Sequence, residues 1–357
     1  MRGRGACECG PRPLPHYWRR GPLSTRSSRH GPWPASRRNH WRMLHADLHP
    51  PELVLARHSS PSERTRLAHL AERGDLIRVA RGAYLTPERW SALGSDARYR
   101  VKIDAIAATI DPTAIFSHAS AAALWRLPWL DGWPDAVHST IDAASGGRSA
   151  ATLHRHAPSR DTPTTVIDGL RVTTLARTVV DVAASRSFTA GVVTADAALG
   201  RPELDSSELD WELDQVPHYQ GAVRARAAIG FADSRSGSPG ESISRCTMRR
   251  IGLPVPVLQQ RFVRSIGGYW EVDFWWPDVG VIGEFDGAAK YLDPELRGGR
   301  SAEHVVYAEK LREDELRRRS TGFARWDMAV ARSPQQLERR LASVGIVSAV
   351  RRRGRSH

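Results

Sequence analysis

The chain has 357 residues, 41% of them hydrophobic, and a formal net charge of +13. No stretch approaches the roughly 20 consecutive apolar residues of a membrane-spanning helix, and the Arg-, Pro- and Gly-rich start lacks the apolar core of a signal peptide, so a cytoplasmic protein is expected. The charge does not by itself indicate nucleic-acid binding. Ten Arg against one Glu lie in residues 1–44 and four Arg in 351–355, which leaves 38 basic and 38 acidic residues in the body. Only local patches could then attract a polyanion.

Residues 1–44 are rich in Pro, Gly, Arg, His and Ser without periodicity, the composition of a disordered basic tail. Met43 stands at the join and marks a second candidate start of translation. Cys7, Cys9 and Cys246 are the three cysteines, too few for a four-Cys zinc site, and reduced thiols are expected. Lysine is rare, with Lys102, Lys290 and Lys310 set against 49 Arg.

A small module is expected over 50–90. "PELVLARHS" and "SERTRLAHLAERGDL" read as helices, the second with Leu67, Leu70 and Ala71 on one face, Ser62 as its cap and Gly74 as its stop. "LIRVARGAYLT" alternates Ile77 and Val79 with Arg78 and Arg81, and Gly82 suits a hairpin turn. The order reads either as a winged helix or as a helical hairpin capped by a β-ribbon with no nucleic-acid role.

Residues 91–230 read as an α/β middle domain. Helices are expected at 96–110 and 119–126, strands near 136–142, 151–156 and 165–174, and helices at 175–185 and 188–199, with 201–233 also helical. Ser117 is placed to cap a helix, with His118 packing or facing water. His154 and His156 fall on one strand face, and the sequence fixes no further metal ligands beside them. The small polar segment "ADSRSGSPG", 232–240, reads as the domain boundary.

A helix beginning near Pro239 opens the last domain, expected over 234–345. Strands follow near 257–264, 269–276 and 279–286, the first two joined at Gly267-Gly268. A charged helix over 301–319, the strand "GFARWDM" and a helix capped by Ser333 complete an α-β-β-β-α-β-α order. Four acids, Asp273, Asp278, Glu284 and Asp286, punctuate the apolar stretch "EVDFWWPDVGVIGEFDGAAKY". A hairpin brings Asp273 beside Glu284, Asp286 shares Glu284's strand face, and Glu241 lies in the first turn of the preceding helix. Converging carboxylates repel, and a divalent cation is one partner that neutralises them. An ordinary hairpin with exposed acids is the plainer reading. On the charged helix, pairs such as Lys310–Asp314 and Glu313–Arg317 fit a solvated face, and Trp326 is expected to pack.

The helix acid followed by "EVDFWWPD" and "VIGEFDG" resembles the PD-(D/E)XK nuclease superfamily, and within it the very-short-patch-repair-like endonuclease domains. The resemblance implies a restriction-endonuclease-like fold and Mg²⁺- or Mn²⁺-dependent cleavage of double-stranded DNA. Glu241, Asp273 and Glu284 would bind the metal, and Asp286 and Lys290 would assist. It departs at one point: Asp286 stands where the motif has Lys. Lys310 and Arg312, on the charged helix, would meet phosphate. In the first half, "LAERGDLIRVARGAYL", "FSHASAAALWRLP" and "TTLARTVVDVA" resemble the winged-helix antitoxins of abortive-infection type IV toxin–antitoxin systems, which implies that Arg78 and Arg81 contact the DNA backbone. The sequence specifies neither a partner toxin nor an oligomeric state. Residues 346–357 form a second basic tail. Two functions follow: a metal-dependent endonuclease with a DNA-binding module, or a DNA-binding regulator or antitoxin whose nuclease domain is catalytically decayed.

Overall fold

The computed structural model describes residues 53–140, 149–157, 162–215, 221–264, 267–287 and 302–348, a mixed α/β chain. The chain divides into two compact units. Among the described residues the first runs to Ser242 and the second starts at Ile243. None of the described helices is long and apolar enough to cross a membrane.

The first unit opens with β1 (Val54–Leu55), a 3₁₀ turn over Ala56–His58, α1 (Pro61–Glu72), β2 (Ile77–Ala80) and β3 (Ala83–Leu85). The three strands form an antiparallel sheet in the order β1-β3-β2. The expected helix over "PELVLARHS" is instead this short strand and turn, because Leu55 extends the edge of β3 and Ser60-Pro61 restarts the chain as a helix. Ser60, not Ser62, is the cap. Its hydroxyl accepts from the Glu63 N–H while the Glu63 carboxylate accepts from the Ser60 N–H, a reciprocal box with Pro61 in the first turn. Leu67, Leu70 and Ala71 form the half-buried face expected of them, with Ala68 beside them, and the rest of α1 is exposed. Ala80 and Ala83 pack in one core with Tyr99, Ile103, Phe116, Leu124 and Val137, so the opening sheet is continuous in its core with the following α/β layer.

That layer comprises α2 (Pro87–Ala92), α3 (Ser95–Ala107), β4 (Ile115–Phe116), α4 (His118–Leu124), β5 (Val137–Thr140), β6 (Leu153–His156), β7 (Thr164–Ile167), β8 (Leu170–Thr173), α5 (Leu175–Ser185), α6 (Phe188–Leu199), α7 (Ser206–Gln215) and α8 (Ala222–Ile229). Its five strands run in the order β6-β5-β4-β8-β7. The single strand expected over 165–174 is a hairpin, turned at Asp168-Gly169 with φ of +50° and +79°. Two successive left-handed residues suit a two-residue turn, and Asp-Gly is among its preferred sequences. Ser117 holds the cap position of α4, but its hydroxyl bonds to His118 Nδ1 at 3.1 Å rather than to a helix N–H.

"ADSRSGSPG" is not a loose linker. Asp233, Ser236 and Ser238 are buried, and Asp196 on α6 accepts both the Asp233 N–H and the Ser242 hydroxyl at 2.7 Å. Small polar residues are there to pack closely and bond, and the division between units comes after them.

Helix α9 (Pro239–Arg250) crosses that division. The second unit continues with β9 (Val257–Val263), β10 (Tyr269–Trp276), a 3₁₀ turn over Pro277–Val279, β11 (Val281–Phe285), α10 (Ala302–Arg318), β12 (Gly322–Trp326), α11 (Met328–Arg332) and α12 (Pro334–Ala342). Strand order is β12-β11-β10-β9, antiparallel except for the parallel β11–β12 pair made by the α10 crossover. Asp327 caps the unexpected α11, and Ser333 caps α12 as expected. Trp326 packs: it stacks on Phe274 with centroids 5.3 Å apart and donates to Ser244 Oγ.

Gly283, in the middle of β11, is where those rings require the absence of a side chain. A Cβ there would meet the Trp326 ring at 2.8 Å and the Trp276 ring at 3.0 Å. Gly283→Ala is therefore expected to destabilise the second unit by about 1–3 kcal/mol through overpacking, read as a lower urea midpoint at unchanged slope.

Candidate functional site

The acid-rich hairpin resolves into two buried carboxylates, one half-buried and one exposed. Register between β10 and β11 pairs Phe274 with Gly283, and one step further it sets Asp273 opposite Glu284. Both are buried, whereas Asp278 is exposed in the turn and Asp286 is half-buried, with its N–H donated to the Trp326 carbonyl. Directly opposed like charges destabilise a sheet, so each acid needs a donor. Asp273 Oδ2 accepts the Phe285 N–H at 2.9 Å.

Glu284 is met by two arginines. Arg312, from α10, forms a two-pronged contact with both its oxygens, one prong at 3.0 Å. Arg325 lies beside Glu284 in the parallel β11–β12 register and donates to Oε2 at 2.9 Å. Glu309, one turn before Arg312, receives Arg312 at 3.1 Å and Arg325 at 2.7 Å, and the Glu271 carbonyl takes a further Arg312 proton at 3.0 Å. The result is a four-residue network, Glu284–Arg312–Glu309–Arg325, with Glu284 only 5% exposed. Burial alone would push the Glu284 carboxyl up. The Arg312 and Arg325 guanidiniums more than reverse this and hold it below its ordinary value. Burial likewise opposes the charge on both arginines, and Glu284 outweighs it, raising both above their usual range.

The other expected residues are dispersed. Glu241 serves its own helix start: Oε2 accepts the Gly237 N–H at 2.8 Å and Oε1 the Ser238 hydroxyl at 2.9 Å. Lys290 lies outside the described residues. Lys310 is exposed on α10, where a phosphate could reach it. Arg312 is not available in that way, because its guanidinium is spent on Glu284, Glu309 and the Glu271 carbonyl. Arg317 pairs with Glu313 and Arg319 with Glu315 along the helix, a solvated face as expected. Arg78 and Arg81 are exposed at the β2–β3 hairpin, and Arg66 is exposed on α1, a position the motif reading missed.

A hard divalent cation takes oxygen ligands. Among the described residues no group of three or more His, Cys, Asp or Glu is placed to hold a metal ion. Both Glu284 oxygens face guanidiniums and both Glu241 oxygens face donors. As arranged, these carboxylates do not fit a Mg²⁺ cage, and the positive partner of Glu284 is arginine.

Removing one member of a buried ion pair strands the other. Glu284→Ala is expected to destabilise the second unit by about 3 kcal/mol or more, and Glu284→Leu combined with Arg312→Leu to recover most of that loss in a double-mutant cycle by urea unfolding. Because the folded-state carboxyl is depressed, its contribution is present above the unfolded value of 4.5 and is lost as pH falls through the lower folded value. The acid-unfolding limb should therefore flatten in the Leu–Leu variant.

No protein-family profile matches the chain. Two curated proteins of Mycobacterium tuberculosis, both described as uncharacterized, strain CDC 1551 / Oshkosh MT2308 and strain H37Rv Rv2248, are 34% identical over 128 residues, 36% of this chain and 47% of theirs. The chain thus spans about half the length of the curated relatives it matches. Among solved structures, the crystal structure of the RV2827C protein from Mycobacterium tuberculosis is similar at 16% identity and a TM-score of 0.34, covering 65% of this chain and 89% of that one.

Proposed function

We propose that the chain is a duplex-DNA-binding protein, of regulator or antitoxin type, whose second unit keeps the architecture of a PD-(D/E)XK nuclease without its phosphodiesterase chemistry. The observation that carries the second half of this reading is the Glu284 network. The acid on which hydrolysis would depend is bound at both oxygens by Arg312 and Arg325. Asp286 stands where that superfamily places a lysine, so the usual cation beside the attacking water is replaced by a carboxylate.

DNA binding is supported by the shape and polarity of the first unit. A sheet in the order β1-β3-β2 with a helix between its first two strands supports a winged-helix reading, in which the hairpin between β2 and β3 would be the wing. Helix α1 has no fully buried residue and exposes Arg64, Arg66 and His69, with Arg73 exposed just after its end, while Arg78 and Arg81 are exposed at the hairpin. A helix with such a face can enter a major groove, and wing arginines grip the backbone, which positions the protein without selecting sequence.

Gel-shift titrations of the full chain on duplex DNA at graded salt test the binding half. Affinity should fall steeply with salt, and Arg78→Ala with Arg81→Ala should weaken binding on all sequences and lower the salt slope by about two. Absence of duplex binding by folded protein would refute it. For the other half, plasmid incubated with Mg²⁺ or Mn²⁺ should stay supercoiled. Nicking that requires the added cation and disappears in Asp273→Asn would restore the endonuclease reading.

A further inference from the structure

Helix α7 turns a carboxyl group inward. Its buried residues are Leu209, Glu212 and Leu213, the spacing of an amphipathic helix with an acid at one of the apolar positions. Glu212 is 2% exposed. Its Oε2 is buried and has no hydrogen-bond partner among the described residues. A charge is costly in such a place unless it is paired, and the usual escape is to neutralise.

The cation beside it is already engaged. Arg177 Nη1, on α5, stands 3.8 Å from Glu212 Oε2, beyond hydrogen-bond reach. The same guanidinium donates from Nε to Asp181 Oδ1 at 2.8 Å, one turn along α5. Asp181 is buried as well. Two buried acids thus share one arginine, and with both ionised the contact between α5 and α7 would carry a net negative charge.

The other charged groups around the contact do not relieve it. On α7, Glu208 lies one turn before Glu212 and adds to the negative field, and Asp210 is exposed. On α8, Arg226 donates to Asp214 at 3.1 Å and to the Leu213 carbonyl at 2.9 Å, and Arg224 donates to the Ala184 carbonyl. On α4, His118 Nδ1 lies 3.7 Å from Asp181 Oδ2. Burial holds His118, the His156 ring stacked on it and His138 beyond well below the ordinary histidine range, so these rings are neutral near pH 7. Burial raises the Glu212 carboxyl to about 7 against the pull of Arg177, with Asp181 and Glu208 adding to the rise, and raises Asp181 to about 6.

We propose that the contact between α5 and α7 is a proton-operated latch: the proton held on Glu212 keeps α7 seated while Arg177 serves Asp181, and its loss on a rise in pH releases the helix. Released, Glu212 gains water as its partner and Arg177 is left to Asp181 alone. Because the folded carboxyl titrates above its unfolded value of 4.5, its contribution to stability is full below 4.5 and is lost as pH rises through about 7. Glu284 behaves in the opposite sense, since its contribution is lost as pH falls.

Amide hydrogen exchange of the full chain between pH 6 and 8, corrected for the intrinsic pH dependence of exchange, tests the latch. Opening of α7 should become about tenfold more frequent over that interval, while α12 in the second unit does not follow. Glu212→Gln keeps the shape without the charge and should leave the opening of α7 flat. His218→Gln removes the histidine that follows α7 in the chain and should leave the transition in place. Carbon-13 NMR of the glutamate carboxyls in the parent protein follows the proton itself and should show one carboxyl titrating near pH 7, a readout that stands if a variant fails to fold. The proposal is overturned by α7 opening that is independent of pH in the folded parent, by a transition that persists in Glu212→Gln or vanishes in His218→Gln, or by the absence of any glutamate carboxyl titrating above pH 6.

Discussion

The second unit is organised around a buried carboxylate that cannot stand alone. Glu284 sits inside a sheet opposite a second buried acid, in a setting where an unpaired charge would cost several kcal/mol. Arg312 and Arg325 answer that demand, and they do so from different elements, a helix and the neighbouring strand. Glu309 then holds both guanidiniums at fixed spacing, so neither can leave without exposing the other. Around this network the apolar parts are conventional: Ile282, Phe323 and Leu316 pack together with Val272, and Trp276 and Trp326 close over Gly283.

Both units satisfy interior carboxylates with arginines and with backbone or hydroxyl donors. In the second, Glu284 meets Arg312 and Arg325 while Asp273 accepts the Phe285 N–H. In the first, the same two kinds of partner recur. Asp196 gathers the Asp233 N–H and the Ser242 hydroxyl, and Asp181 joins Arg177 to the His118 ring. Glu212 is the harsher case: burial, with Arg177 opposing, pushes its carboxyl up to about 7. A segment as polar as 232–240 can be interior for the same reason, since every buried donor or acceptor with a partner is tolerated.

Much of the fold was legible in the sequence because it was written in local signals. Alternation and Gly-Gly marked the β9–β10 hairpin, Gly82 the β2–β3 turn, Ser333 a helix cap, and the spacing of Asp273 and Glu284 their meeting on paired strands. What escaped was non-local or overwritten by context. Arg325 is 41 residues from Glu284, and nothing short of the parallel register places it there. Arg312 was visible as a basic residue on a charged helix, but its direction was not, so it was expected to face phosphate and instead faces Glu284. "PELVLARHS" has helical composition and was drawn into a sheet by Leu55 pairing with Ala83. Asp168-Gly169 was a readable turn signal that a strand expected over 165–174 passed over. "ADSRSGSPG" shows the limit of composition, since small polar residues suit both a flexible linker and a tightly packed bend.

The parallel pairing of β11 with β12 has a kinetic side. Its two strands are separated by the α10 crossover, so the chain must close that loop before Glu284 can meet Arg325 on β12. Until then the carboxylate is left to water, and the hairpin of β10 and β11 alone has reason to resist burial. The same pairing tolerates no slip. Shifting β12 by one residue would turn Arg325 to the opposite face and bring the Trp326 indole against Glu284. The ion network thus works as a proofreading contact: it rewards a single alignment of the last strand and penalises its nearest alternatives, whatever the apolar residues around it would accept.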